Sequence, residues 1–108
     1  MDITTIERAA IIAEDNDMFR TDNPAEFTIT AGVWENCNIS EVISKVREFA
    51  AFTEDNDPYG EHDFGSFELD GRKLFWKIDY YGLDFAGYCD PLSDECRKVL
   101  TVMLAEEY

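Results

Sequence analysis

Ile6, Ala9, Ala10 and Ala13 recur at helical spacing, and Ile11 with Met18 and Ile12 with Phe19 continue the same rhythm. Thr4 with Glu7 three positions on forms a capping box, in which side chains satisfy the first free backbone N–H groups. The pattern predicts a first helix from Thr4 to about Arg20, ended by Asn23-Pro24, because the residue before a proline is pushed out of the helical region. The tetrapeptide EDND at 14–17 then lies on a solvated helical face. Phe27, Ile29, Ala31 and Val33 alternate with polar or small residues, the period of a half-buried strand. Asn38 with Glu41 is a second capping box, with Cys37 and Val42 placed as a hydrophobic staple. Val42, Ile43, Val46, Phe49 and Ala50 make the apolar stripe of a second helix ending near Phe52.

Phe64 to Leu69 and Arg72 to Tyr81 flank Asp70-Gly71, and an Asp-Gly pair between alternating apolar runs is a strong hairpin signal. Phe67 and Leu69 would share one face, as would Leu74, Trp76, Ile78 and Tyr80 across the turn. Asp90-Pro91 offers a helix start, and Cys96, Val99, Leu100, Met103 and Leu104 read as the stripe of a third helix. The expected fold is α+β in α-β-α-β-β-α order: a three-stranded antiparallel sheet covered by three amphipathic helices.

A chain of 108 residues is expected to form one domain over 1–108. Its 45% hydrophobic and 14% aromatic content can build a core, unlike that of an acidic disordered tail. The start MDITTIERAA lacks a basic leader, and no apolar run approaches the roughly 18 residues of a membrane span, so a cytoplasmic protein is expected. Cys37, Cys89 and Cys96 cannot all pair and have no zinc-ligand spacing; they read as reduced thiols, with a Cys89–Cys96 bridge as the alternative. The 24 acids against 9 bases give a net charge of −15, well beyond the magnitude of about 2 to 8 that solubility needs. That field disfavours direct contact with nucleic acid or an anionic membrane. A halophile's surface would be acidic all round, whereas here Glu54, Asp55, Asp57, Glu61, Asp63, Glu68 and Asp70 follow one another without a base.

The segment TEDNDPYGEHDFG at 53–65 has three chemical readings. As a calcium loop it places Asp55, Asp57 and Gly60 at the first, third and sixth positions, but Tyr59 takes the fifth and Ser66 stands where a bidentate glutamate belongs. Asp55, Asp57, Glu61 and Asp63 could instead form a looser cation site. His62, between Glu61 and Asp63, could be a general base, yet no serine or cysteine stands beside it in a nucleophile motif. The glycines read as turns and strand starts, with no phosphate loop. The remaining reading is electrostatic mimicry. A domain of this length is very roughly 34 Å across, and duplex DNA of that length carries about 20 phosphate charges, comparable with −15. A surface acidic merely for solubility is the plainer alternative. Tyr80, Tyr81 and Tyr88 could contribute to an interface, since tyrosine is enriched there.

NDPYGEHDFGSFELDG at 56–71, LFWKIDYY at 74–81 and VLTVMLAEEY at 99–108 resemble a family of small bacterial proteins, a domain of unknown function often carried on plasmids and mobile elements. NDMFR at 16–20 and TAGV at 30–33 are similar to earlier segments of that family, whereas GLDFAGYCDPLSDEC at 82–96 follows no family pattern. The resemblance brings no activity and no catalytic residue. It implies a setting in which small acidic proteins block host defence, including anti-CRISPR and antirestriction proteins that mimic DNA.

The expected function is therefore an anti-CRISPR inhibitor, not an enzyme, that presents carboxylates to the basic nucleic-acid-binding groove of a CRISPR effector or other defence protein. Glu54, Asp55, Asp57, Glu61, Asp63, Glu68 and Asp70 form the expected contact, with Glu14, Asp15 and Asp17 as a second patch. No metal site or cofactor is expected. The alternatives are an acidic antitoxin-like or antirestriction partner of a basic protein, a cation-dependent interaction domain, and an enzyme built on His62.

Overall fold

The computed structural model describes residues 4–22, 27–82, 89–93 and 95–108. Thr4 Oγ1 accepts the Glu7 N–H at 3.1 Å and opens helix α1, Thr5–Asp22. Strand β1, Phe27–Ile29, is short because the chain turns at Thr30 into helix α2, Ala31–Asn36. Of the alternating positions Phe27, Ile29 and Val33 face the core and Ala31 is exposed, and only the first half is a strand. Asn38 Oδ1 caps helix α3, Ile39–Glu48, by accepting the Glu41 N–H at 3.1 Å. Strands β2, Phe64–Leu69, and β3, Arg72–Tyr81, form the expected hairpin. Asp70 and Gly71 have φ of 54° and 79°, both left-handed, as a two-residue Asp-Gly turn requires. Strand β4, Arg97–Leu104, and a closing 3-10 turn, Ala105–Glu107, complete the described chain.

The expected three-stranded antiparallel sheet in α-β-α-β-β-α order is overturned. The sheet has four strands in the order β1-β4-β3-β2, with β1 parallel to β4 and the other pairs antiparallel. Two misreadings account for this. The stripe from Cys96 to Leu104 belongs to no helix: after a turn in which Asp90 accepts the Leu92 and Ser93 N–H groups, the chain enters β4. A third helix does exist, but it is α2, between β1 and α3. Moreover, α1 is not amphipathic in the expected sense. Its buried stripe is Ile12, Ala13, Asn16 and Arg20, while Ile6, Ile11 and Met18 are exposed.

The core lies on one face of the sheet. Leu74, Trp76 and Ile78 of β3 stand opposite Leu104, Val102 and Leu100 of β4, and all six are buried. Ile12, Val33, Val42 and Val46 close over them from the helices. Gly65 faces Trp76 across β2, where an added Cβ would lie 2.6 Å from the indole Cε2 and 2.9 Å from the Phe49 ring. Only glycine lets the indole lie across that strand. On the opposite sheet face Phe64, Phe75 and Tyr108 pack ring against ring at 5.2 to 6.2 Å.

Candidate functional site

The polar side chains buried by α1 converge on the loop between α3 and β2. Arg20 is 3% exposed and donates from Nη1 to the carbonyls of Val46, at 2.6 Å, and Arg47, at 3.1 Å, at the C-terminal end of α3. A cation there satisfies carbonyls that the helix leaves free and complements its dipole. Its Nη2 pairs with Asp17 at 3.0 Å, and its guanidinium lies 5.0 Å from the Trp76 ring centroid. Asp17 also receives His62, whose Nδ1 is 3.0 Å from Oδ1. His62 stacks on Phe52 with ring centroids 3.8 Å apart, nearly parallel, and its Nε2 is 3.8 Å from Asp57 Oδ2.

Asp57 is buried because its work is local: its carboxylate accepts the backbone N–H groups of Glu61 and His62 at 3.1 and 3.2 Å. Those bonds hold His62 at φ 55°, a left-handed conformation uncommon outside glycine. The two EDND tetrapeptides therefore share a plan. Their fourth residues, Asp17 and Asp57, meet at His62, and their first two, Glu14 with Asp15 and Glu54 with Asp55, are exposed. In the third places, Asn16 is fully buried and donates to Glu61 O at 2.9 Å and Tyr80 Oη at 2.8 Å, while Asn56 caps its own turn at Thr53. The expected solvated face at 14–17 is thus only half solvated.

The other expected contact residues divide in the same way. Glu68 is exposed but stands opposite Lys73 across the hairpin, and Asp70 is exposed in the turn. Glu61 is half-buried and accepts the Tyr80 hydroxyl proton at 3.1 Å; Tyr80 itself is buried, not part of an open interface. Tyr88 lies outside the described residues. Exposed carboxylates also stand on α2 and α3, at Glu35, Glu41 and Glu48, so the acidic surface is wider than the two expected patches. Cys37, Cys89 and Cys96 are free thiols. Burial and the neighbouring Cys89 thiol push the Cys96 thiol up. Among the described residues no group of three or more His, Cys, Asp or Glu side chains is placed to hold a metal ion. The calcium-loop reading fails because Asp57 spends its oxygens on backbone N–H groups and Ser66 sits mid-strand in β2.

Residues 27–107 match a family described as protein of unknown function (DUF3768). The chain belongs to the DUF3768 family. No curated protein and no solved structure matches it. The DUF3768 segment runs from β1 to the closing turn, so α1, which supplies Asn16, Asp17 and Arg20, precedes it.

Beside this hub, Glu61, Asp63 and Asp79 line an open cleft of about 550 Å³ with Tyr59 and Tyr81. Burial, then the charge of Glu61, raises the Asp63 carboxyl to about 6, with Asp57 and Asp79 adding to the effect. A raised folded-state value means that Asp63 favours the folded state fully below pH 3.8, its unfolded value, and that this contribution is lost as the pH rises through about 6. An Asp63→Asn variant keeps it. Its stability should exceed that of the parent by a margin that grows between about pH 4 and pH 6.5, to about 1 to 2 kcal/mol after allowing for solvent screening. Urea unfolding of both chains across that range checks it, and a pH-independent difference would contradict the assignment.

Proposed function

We propose that this DUF3768 protein is an acidic inhibitor that occupies the cationic nucleic-acid groove of a defence complex, specifically an anti-CRISPR protein acting as a DNA mimic in the cytoplasm. The observation that carries this reading is the net charge of −15 on a body 48 Å long and 24 Å thick. A duplex of that length carries about 28 phosphate charges, so the protein offers about half the charge of the DNA it would displace. Glu14, Asp15, Glu54 and Asp55 supply exposed carboxylates on two segments that the Asp17–His62–Asp57 contacts tie together. Several bases are already engaged: Arg20 is buried, Arg8 is bonded to Asp90 and Lys77 pairs with Asp79 at 2.8 Å.

The His62 enzyme reading has less support, because both ring nitrogens face carboxylates and one ring face is covered by Phe52. The test is displacement of duplex DNA from purified CRISPR effector complexes at low and moderate salt. Displacement that weakens as salt rises, and that survives His62→Gln in a folded variant, is the expected result. No displacement from any effector, or its complete loss with His62→Gln, would overturn the reading.

A further inference from the structure

The loop that carries the second EDND lies between two clefts, and the wall they share is Tyr59 with Glu61. On one side is the acidic cleft of about 550 Å³, lined by Glu61, Asp63 and Asp79. On the other is a groove of about 570 Å³ between the first turns of α1 and the loop, lined by the apolar Ile6, Ala9, Ala10 and Pro58 and by the charged Glu54 and Arg8, the latter paired with Asp90. Both volumes are within the usual range for ligand sites. Tyr59, on the shared wall, is 77% exposed and Ile6, in the α1 groove, is 83% exposed, so the protein holds two large apolar side chains in water beside these clefts. Neither is needed for the core, whose buried members are elsewhere.

An apolar trough beside a carboxylate-lined cleft matches a particular chemistry. A cation alone gains nothing from Ile6 and Pro58, and an apolar ligand alone gains nothing from Glu61 and Asp63. We infer that Tyr59 is the anchor of a docking surface for a protein segment that presents an arginine or lysine beside an aliphatic side chain. The aliphatic group seats in the α1 trough and the cation in the acidic cleft, with the exposed tyrosine ring packed between them. Tyrosine in this position brings large contact area at little conformational cost, as at interface hot spots. The charge complementarity is that of the proposed function, and the inference rests on that reading: it gives the acidic inhibitor a point of specific grip on its protein target.

The experiment titrates the isotope-labelled protein with the peptide acetyl-Leu-Arg-Leu-Arg-amide and follows backbone amide shifts at low salt. Shifts should gather at Ala9, Ala10, Tyr59, Glu61 and Asp63. Affinity should fall about tenfold with acetyl-Ser-Arg-Ser-Arg-amide, and by a similar factor in Tyr59→Ser or Ile6→Ser, exposed positions whose replacement leaves the core intact. Shifts spread over all exposed carboxylates, equal binding of the serine peptide or of spermidine, or unchanged affinity in either variant would each overturn the docking surface. DNA displacement by Tyr59→Ser separates the two ideas. A parent that displaces DNA while Tyr59→Ser does so equally well sinks the anchor and leaves the inhibitor standing. A parent that displaces nothing sinks the inhibitor, and the peptide titration still decides the anchor.

Discussion

Replacing Arg20 with alanine is expected to cost about 3 kcal/mol or more, a large part of the 5 to 15 kcal/mol that holds most domains folded. The loss has several sources. The carbonyls of Val46 and Arg47 lose a charged donor at 2.6 and 3.1 Å, and a buried acceptor left unpaired costs about 1 to 3 kcal/mol. Asp17 loses one of its two partners, at 3.0 Å, and keeps His62; its carboxylate is 42% exposed, so water replaces part of the interaction. The guanidinium also packs against Trp76 and Phe52, so its removal opens a void beside the largest buried side chain. Thermal unfolding should shift down by about 10 to 20 °C. Arg20→Lys should recover only part of this, since an ammonium cannot reach two carbonyls and a carboxylate while keeping a planar ring contact. Arg20→Met, which fills the space without the donors, should lie between alanine and the parent. If alanine and the parent unfold at the same temperature, Arg20 is not the joint between α1 and α3.

That joint explains what could and could not be seen in the sequence. Both N-caps, Thr4 and Asn38, and the Asp70-Gly71 hairpin were legible because each is local: a side chain within three residues, or a turn whose backbone angles Asp and Gly accept. Strand β4 was not. Val99, Leu100, Met103 and Leu104 fall at helical spacing, but in RKVLTVML both edges are paired, with β1 and β3, and Met103 is buried along with Leu100, Val102 and Leu104 of the core face. Val99 and Met103, on the face away from the core, blur the polar-apolar alternation, and the useful signal was the β-branched content, at Val99, Thr101 and Val102. The parallel pairing of β1 with β4 spans some seventy residues and leaves no local mark. The acidic segment was visible as composition, but which of its acids are structural was not. Asp57 and Asp17 look like their neighbours in sequence, and only the fold brings both to His62. Asn16 gave no signal at all, since a polar residue in an acidic helical run reads as solvated. Tyr59, the exposed aromatic on the wall between two clefts, left no mark either, because a single tyrosine in a loop has no periodicity that separates an exposed ring from a core one.

The same division between structural and exposed acids sets the second large expectation. Reversing Glu14, Asp15, Glu54 and Asp55 together to lysine should weaken DNA displacement about a hundredfold without unfolding the protein. All four are exposed, and none makes the contacts that fix the hub, which belong to Asn16, Asp17, Asp57 and His62. A rim ion pair contributes about 0.5 to 1 kcal/mol, and reversal replaces each attraction with repulsion from the target's own lysines and arginines. Four such sites give about 3 kcal/mol, the equivalent of that hundredfold. Salt dependence should flatten in parallel, because fewer charges are matched across the interface. The decisive control keeps the altered net charge and moves its location: Glu35, Glu41, Glu48 and Glu106, exposed on α2, α3 and the closing turn, reversed in the same way. If only total charge matters, both variants lose activity equally, and mimicry reduces to a nonspecific field. If the two EDND segments are the contact, the control loses a few-fold while the first variant fails, because the bonds at His62 hold those carboxylates on a fixed scaffold while the control acids belong to other elements.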